Sequence, residues 1–259
     1  MKSGSILLLI CLLLSLAGCT EPTEPSAVST IPVPPPAEVP SEGDDLPLSG
    51  ALAWPPALPD DGSTPQLADD LYATNVMIVL DVSGSMAEDC LDEIKIIAAK
   101  RAVLSFIDDA PTDANIGLAI FGGPRDKVVV PLSPEREQLR RYVTALDTGG
   151  GTPMATAVGH AYQALLDQSR FQAGYGWYHM VVVGDGVPDS EEATIATLDA
   201  VVAQSRVNLH TVGFCANLSV LQRPGTFYRN APTPEALREA FESVLAEAPS
   251  FSATSFQDL

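Results

Sequence analysis

The chain has 259 residues, of which 46% are hydrophobic and 18% charged, so it can bury a core of ordinary size and is not a wholly disordered protein. Its formal net charge of -19 argues against a protein that binds the phosphate backbone of nucleic acids, because such binding needs clustered Lys and Arg. The 4 cysteines are too few for a disulfide-rich scaffold, and they are not spaced as zinc ligands.

The N-terminal 18 residues are predicted to be a signal peptide. Residues 5–17 are almost entirely apolar and follow Lys2, which is typical of a secretory signal and too short for a membrane span of about 20 residues. Residues 16–19, Leu-Ala-Gly-Cys, resemble the lipobox of bacterial lipoproteins. The alternative is an ordinary cleaved signal in which Cys19 has no special role.

The lipobox resemblance implies cleavage before Cys19 and a lipid on its thiol. The mature protein would then be extracytoplasmic and held at the bacterial cell membrane by acyl chains alone. Thr20 follows the cysteine where lipoproteins kept in the inner membrane carry Asp, so the outer membrane is favoured if the organism is Gram-negative.

A proline-rich acidic segment follows the lipidated cysteine, so that residues 19–70 are predicted to form a disordered linker. Residues 20–70 contain neither Lys nor Arg, and proline without periodic apolar positions favours extended chain over a packed core. The main interpretation is a spacer between membrane and domain. A partner-binding segment at residues 52–56, around Trp54, is the alternative.

An α/β domain is predicted over residues 71–248, followed by a flexible tail at 249–259. Continuous apolar runs indicate buried strands, and a 3.6-residue apolar period indicates helices. In chain order we expect strand 76–80, helix 88–109, strands 116–121 and 128–130, helices 134–146 and 152–168, strand 179–183, helix 191–205, strands 207–214 and 226–228, and helix 233–246. This alternation predicts a doubly wound, mostly parallel central sheet with helices on both faces.

Short oxygen-bearing side chains follow the predicted strands in three loops. Asp81, Ser83 and Ser85 come after the first strand, Thr152 follows three glycines, and Asp185 follows strand 179–183. Ligands of such sheets bind at the carboxyl ends of the strands, so we expect these side chains to meet. Hard oxygen donors suit Mg²⁺, Mn²⁺ or Ca²⁺. Taken alone, the first loop could also be a capped helix start.

These five positions resemble the metal-ion-dependent adhesion site of the von Willebrand factor A domain, and the resemblance extends over about residues 71–246. It implies a Rossmann-like fold in which Ser83 and Ser85 coordinate one divalent cation directly. It also implies that Thr152, Asp81 and Asp185 act directly or through water. Many relatives have Thr or Ser where this chain has Gly184, a departure that leaves the carboxylate of Asp185 in place.

The function implied is cation-dependent binding of a protein at the cell envelope, in which an Asp or Glu of the partner completes the coordination of the ion, most simply Mg²⁺. The alternative is a subunit or regulator of a larger envelope assembly or secretion machine. A hydrolase is disfavoured because Asp81-x-Ser83 is not a nucleophile elbow and no phosphate-binding loop follows the glycines before Thr152. We therefore expect no enzymatic activity, no bound nucleic acid and no membrane contact beyond the lipid.

Two cysteines remain in the predicted mature domain, because Cys11 leaves with the signal and Cys19 is lipidated. Cys90 begins the first predicted helix and Cys215 ends a late strand, so both should lie at the metal-bearing edge, and an extracytoplasmic compartment permits a disulfide. The predicted strand order places another strand between their parent strands, so their loops would have to bend to meet. Two buried thiols are the alternative.

Overall fold

We describe the fold from a computed structural model, which covers residues 54–55, 66–123 and 129–247. The predicted signal peptide, Cys19 with its lipid, most of the predicted linker and the tail at 249–259 lie outside these residues. Among the helices that are described, none combines the length and apolarity needed to cross a membrane.

The central sheet has six strands in the order β5-β4-β1-β6-β7-β8. Its strands are β1 (Thr74–Asp81), β4 (Asn115–Phe121), β5 (Val129–Ser133), β6 (Trp177–Gly184), β7 (Asn208–Phe214) and β8 (Phe227–Ala231). Every neighbouring pair is parallel except β4 and β5, which run antiparallel. The predicted doubly wound, mostly parallel sheet is therefore confirmed.

Helices cover both faces of the sheet, as predicted. They are α1 (Lys95–Asp109), α2 (Arg136–Thr144), α3 (Met154–Phe171), α4 (Glu191–Gln204) and α5 (Pro234–Glu247). Side chains of α1, α2 and α5 join one hydrophobic core, and those of α3 and α4 join the other. Strand β1 serves both cores, since Ile78 and Leu80 point to the first and Met77 and Val79 to the second.

The region of the predicted helix 88–109 differs from the expectation. A 3₁₀ turn at Gly84–Ala87 leads into a hairpin of β2 (Asp89–Cys90) and β3 (Glu93–Ile94), and α1 begins only at Lys95. Leu91 at the hairpin turn has φ 59°, a left-handed conformation that does not fit a helix. The apolar period is helical from Lys95 onward, whereas residues 88–94, the first seven of the predicted helix, form the approach to the hairpin and the hairpin itself.

Within the predicted linker, Trp54 and Pro55 lie against the domain. The indole of Trp54 packs edge-on against Tyr178 with ring centroids 4.9 Å apart, and it also contacts Tyr162 at 6.2 Å. Pro55 covers Gly174, where a β-carbon would come within 2.8 Å of the proline ring. These two linker residues are seated on the amino-end side of the sheet, because burying the aromatic surface of Trp54 offsets the entropy of fixing the chain there.

Candidate metal centre

Three of the five predicted ligands, Asp81, Ser83 and Ser85, lie at the carboxyl end of β1. The backbone N–H of Ser83 donates to Oδ1 of Asp81 at 2.8 Å, which closes a turn immediately after the strand. The hydroxyls of Ser83 and Ser85 lie 3.1 Å apart and share a hydrogen bond. Asp81 is fully buried and Ser83 is 2% exposed, so the side-chain oxygens of these two residues are shielded from solvent.

Asp185 joins this group from the neighbouring strand. Strands β1 and β6 pair in parallel with Leu80 opposite Val183, so their carboxyl ends lie side by side. The hydroxyl of Ser85 donates to Oδ1 of Asp185 at 2.7 Å, and the backbone N–H of Asp185 donates to Oδ2 of Asp81 at 3.4 Å. The structure thus brings four of the five predicted residues into one hydrogen-bonded cluster.

The loop that carries Thr152 lies beside this cluster. The backbone N–H of Gly84 donates to the oxygen of Gly150 at 3.4 Å, which joins the glycine loop to the serine loop. Thr152 itself exchanges two hydrogen bonds with Asp189: its N–H donates to Oδ1 at 2.9 Å, and its carbonyl accepts from the Asp189 N–H at 3.0 Å. Asp189 therefore positions the fifth predicted residue, and nothing in the sequence pattern singled it out.

Gly122 is a second residue that sequence reasoning missed. Its φ is +78°, and a β-carbon there would lie 2.6 Å from the backbone nitrogen of Ser83 and 2.8 Å from the backbone oxygen of Gly151. Only glycine allows the end of β4 to approach both loops so closely. The Gly-Gly pair directly after a buried strand is the sequence signal that could have indicated this role.

Lys95 is a third missed residue. Its ammonium donates to Oδ2 of Asp185 at 2.9 Å, to Oε2 of Glu88 at 3.2 Å and to the backbone oxygen of Ser85 at 3.4 Å. Burial by itself would lower the pKa of Lys95, but the hydrogen bonds and negative charges of Asp185 and Glu88 outweigh it, so the pKa lies above its usual value. The amine is charged and forms a buried ion pair with a predicted metal ligand.

The electrostatics of the cluster favour an added cation. Burial raises the pKa of Asp81 to about 7, and the nearby charge of Asp185 adds to the effect, although hydrogen bonds from Ser83 oppose it. Two adjacent buried carboxylates have only partial compensation from Lys95. All the converging side-chain atoms are oxygens of carboxylates and hydroxyls, the donors that Mg²⁺ and Mn²⁺ prefer. The residues present therefore fit a hard divalent cation.

In the described part of the chain, no group of three or more His, Cys, Asp or Glu side chains is arranged to hold a metal ion. His179 and His210 are buried and lie early in β6 and β7, with His179 paired to Val76 near the start of β1. They contact each other through Nδ1 of His179 and Nε2 of His210 at 3.3 Å. Both are remote from the carboxyl edge.

A disulfide joins Cys90 of the β2–β3 hairpin to Cys215 at the end of β7, with their Cα atoms 5.9 Å apart. Strand β6 lies between β1 and β7 in the sheet, as predicted from the sequence. The two cysteines meet because the hairpin after the serine loop leans across the end of β6, and Cys215 turns to meet it with φ 52°. The bond fixes this hairpin beside the candidate metal centre.

Comparison with known proteins agrees with the fold. Residues 76–186 match the family model of the von Willebrand factor type A domain. The magnesium-chelatase 67 kDa subunit of Chlorobaculum parvum is 33% identical over 90 residues, which are 34% of this chain and 14% of that protein. The chain therefore spans only a small part of that relative's length.

Solved structures with the same fold include a pilus adhesin, SpaC of Lactobacillus rhamnosus GG, with a TM-score of 0.58 and 14% identity over 71% of this chain and 31% of that one. The manganese-loaded TRAP protein of Plasmodium vivax has a TM-score of 0.51 and 17% identity over 68% of this chain and 74% of that one. At these identities the likeness concerns the fold alone. Together with the match of residues 76–186 to the family model, it shows that this part of the chain has the fold of a von Willebrand factor type A domain.

Proposed function

We propose that the domain is a divalent-cation-dependent protein-binding module. In this proposal Asp81, Ser83, Ser85, Thr152 and Asp185 hold one cation, with Mg²⁺ as the first choice and Mn²⁺ or Ca²⁺ as substitutes. The observation that carries it is the hydrogen bond of 2.7 Å between Ser85 Oγ and Asp185 Oδ1, which joins two loops that are far apart in sequence. Hydroxyl and carboxylate oxygens so close together have the spacing expected of groups that share one ion.

Each of these residues would contribute differently to holding the cation. Asp81 and Asp185 supply negative charge, the serine hydroxyls supply neutral oxygens, and the Asp189 carboxylate fixes the backbone of Thr152. The cation, when bound, supplies a Lewis-acidic position for an oxygen ligand from outside the chain. Because only two carboxylates come from the protein, that ligand is best supplied by an Asp or Glu of the partner.

A binding role is favoured over catalysis by the bonds that the serines make. The hydroxyls of Ser83 and Ser85 bond to each other and to Asp185, whereas the buried histidines of β6 and β7 lie toward the other end of the sheet. A serine nucleophile is usually activated by an imidazole base, whereas the hydroxyl of Ser85 contacts the carboxylate of Asp185, which also pairs with Lys95. This arrangement supports our proposal that the protein is not an enzyme.

The envelope location is part of the same proposal. The lipobox resemblance at residues 16–19 supports a lipid on Cys19, and the disulfide Cys90–Cys215 is of the kind formed in oxidising compartments. Growth with a labelled fatty acid should label the wild-type protein and not the Cys19→Ala variant. Absence of label in the wild type, or equal label in the variant, would argue against a lipid on Cys19.

A second candidate function is a subunit or regulator of a larger envelope assembly. It is favoured by the local likeness to a protein named as a subunit of magnesium chelatase. The two candidates differ in the partner, which would be an exposed ligand in the first and fixed components of one complex in the second. Crosslinking in cells, with and without a chelator, separates a single ligand from a set of components.

Titration calorimetry tests the central proposal. Mg²⁺, Mn²⁺ and Ca²⁺ are titrated into chelator-stripped protein, beside the variants Asp81→Asn and Asp185→Asn. We expect one ion per chain for the wild type and a loss of at least about tenfold in affinity for each variant, since each removes a charged ligand. Asp199→Asn is the matched control, because Asp199 lies on α4 in an ion pair with Arg223.

The variants must keep the wild-type circular dichroism spectrum for the comparison to hold, and Asn keeps the shape of Asp. Unchanged affinity in Asp185→Asn would remove Asp185 from the site. If the wild type takes up no ion at millimolar concentration, the proposal of a cation-dependent module is wrong for the isolated chain.

A further inference from the structure

An ammonium group lies inside the candidate metal centre. Lys95, the first residue of α1, is 8% exposed, and its shortest contact is with Oδ2 of Asp185 at 2.9 Å. The side chain of Asp185 is fully buried, whereas that of Glu88, the other acidic partner, is 71% exposed. Water screens the pair with Glu88, so the pair with Asp185 is the stronger one.

This contact uses an oxygen that a cation would need. Oδ1 of Asp185 accepts from the hydroxyl of Ser85, and Oδ2 accepts from Lys95. A hydroxyl can rotate and offer a lone pair to an ion, because its proton is free to point elsewhere. An ammonium has no lone pair to offer and carries the same sign of charge as the ion, so it opposes the ion at Asp185.

We propose that Lys95 is an internal competitor of the divalent cation, one that sets the affinity of the metal centre by holding Asp185. The inference rests on the proposed function, since it concerns the same ion. Lys95 is a positioning residue here and not a ligand.

The charges explain what such a competitor achieves. Among the buried groups, the two carboxylates of Asp81 and Asp185 neutralise one divalent cation, and Lys95 then adds an excess positive charge that the water-exposed Glu88 offsets only in part. A carboxylate from a partner removes that excess. With Lys95 in place, ion and partner therefore support each other's binding, whereas a centre without this amine would hold the ion by itself.

The test uses the metal alone with the purified full-length chain. Mn²⁺ binding is followed by the loss of the free-ion electron paramagnetic resonance signal, and Mg²⁺ binding by calorimetry. The variants are Lys95→Met, which keeps the length of the stem without the charge, Lys95→Gln as a second neutral variant, and Lys95→Arg, which keeps the charge. Lys100→Met is the control, because that amine lies on the exposed side of α1 and donates to the backbone oxygen of Thr144 at 3.1 Å.

We expect the neutral variants to bind both ions about tenfold more tightly, because a like charge next to the ion is gone. Lys95→Arg and Lys100→Met should stay close to the wild type. Thermal unfolding with and without Mg²⁺ adds a second readout, since the neutral variants should gain more stability from the ion than the wild type does.

The outcomes separate this inference from the proposed function. If the wild type binds and the neutral variants bind equally or more weakly, Lys95 is only a structural counter-ion and the inference is overturned alone. If neither the wild type nor any variant binds, both fail. Binding by the neutral variants when the wild type does not bind would support the inference, as would the tighter binding expected above.

Discussion

A β-carbon on Gly122 would lie 2.6 Å from the backbone nitrogen of Ser83, closer than any real β-carbon approaches such an atom. We therefore expect Gly122→Ala to displace the serine loop, to cost at least about 2 kcal/mol of stability through strain and clash, and to weaken cation binding. Urea unfolding and metal titration measure the two effects.

Gly84→Ala is the matched control. Gly84 lies within the Asp-x-Ser-x-Ser motif itself, but a β-carbon there meets nothing nearer than the Gly150 oxygen at 3.9 Å. We expect a change within about 0.5 kcal/mol. If the motif glycine proved the more sensitive of the two, the packing argument for Gly122 would be wrong.

The second prediction concerns the seat of Trp54. Trp54→Ala should lower the free energy of unfolding by about 1–2 kcal/mol, because a partly buried indole leaves Tyr178 and Tyr162. A fragment that begins at residue 71 should lose at least as much relative to one that begins at residue 50, because it also lacks the hydrogen bonds of Ala68 with Phe171 and of Asp70 with Gln172. Denaturant titration of all three chains measures it.

Tyr72→Ala provides the comparison for Trp54, because Tyr72 is 62% exposed and makes its ring contact with Tyr175 at the surface. Its effect should be clearly smaller. Equal stability of the fragments beginning at residues 50 and 71 would mean that the linker contributes nothing to the fold.

The third prediction concerns the disulfide between Cys90 and Cys215. The bond closes a loop with a sequence separation of 125, so its reduction should lower the stability by about 2–4 kcal/mol. Thermal unfolding of the mature domain with and without a reductant, beside the double variant Cys90→Ala/Cys215→Ala, measures the effect. Titration of free thiols before reduction should find neither cysteine reactive, and a full count of thiols there would contradict the bridge.

The fourth prediction follows from the buried histidines. Burial lowers the pKa of both His179 and His210 to about 4, and the charges of His179 and Arg229 contribute at His210. Below the ordinary pKa of 6.5 the unfolded chain takes up protons that the folded chain refuses, so stability falls as the pH falls from 6.5 toward 4. The loss should be about 2 kcal/mol per histidine between about pH 7 and about pH 5.

His179→Gln isolates this effect from other titrating groups. Asp81 opposes it, because its raised pKa makes the folded chain take up a proton over part of the same pH range. Asp81 is present in both chains, so the difference between their pH profiles reports the histidines. The variant should lose less stability on acidification, and parallel profiles would show that the pair does not titrate as proposed.

Local pattern was enough to predict the architecture and the candidate ligands. Strands buried on both faces, such as β1, must be continuously apolar, and amphipathic helices must repeat every 3.6 residues, so both are visible in the sequence. Loops at the carboxyl ends of parallel strands converge, and this rule predicted that Ser85 and Asp185, which are 100 positions apart, lie close together, as they do. Chemistry that depends on residue type and strand direction can be predicted in this way.

Only the tertiary structure decided which other residues support the metal centre. In the sequence, Lys95 is an ordinary helix residue and Asp189 an ordinary acidic loop residue. Only in the folded protein does Lys95 contact Asp185 and Asp189 contact Thr152. The same holds for the hairpin at residues 89–94 and for Trp54, whose conformations depend on contacts with Cys215 and Tyr178. These contacts join residues that are distant along the chain, and their free energy comes from burial and charge pairing that no local pattern contains.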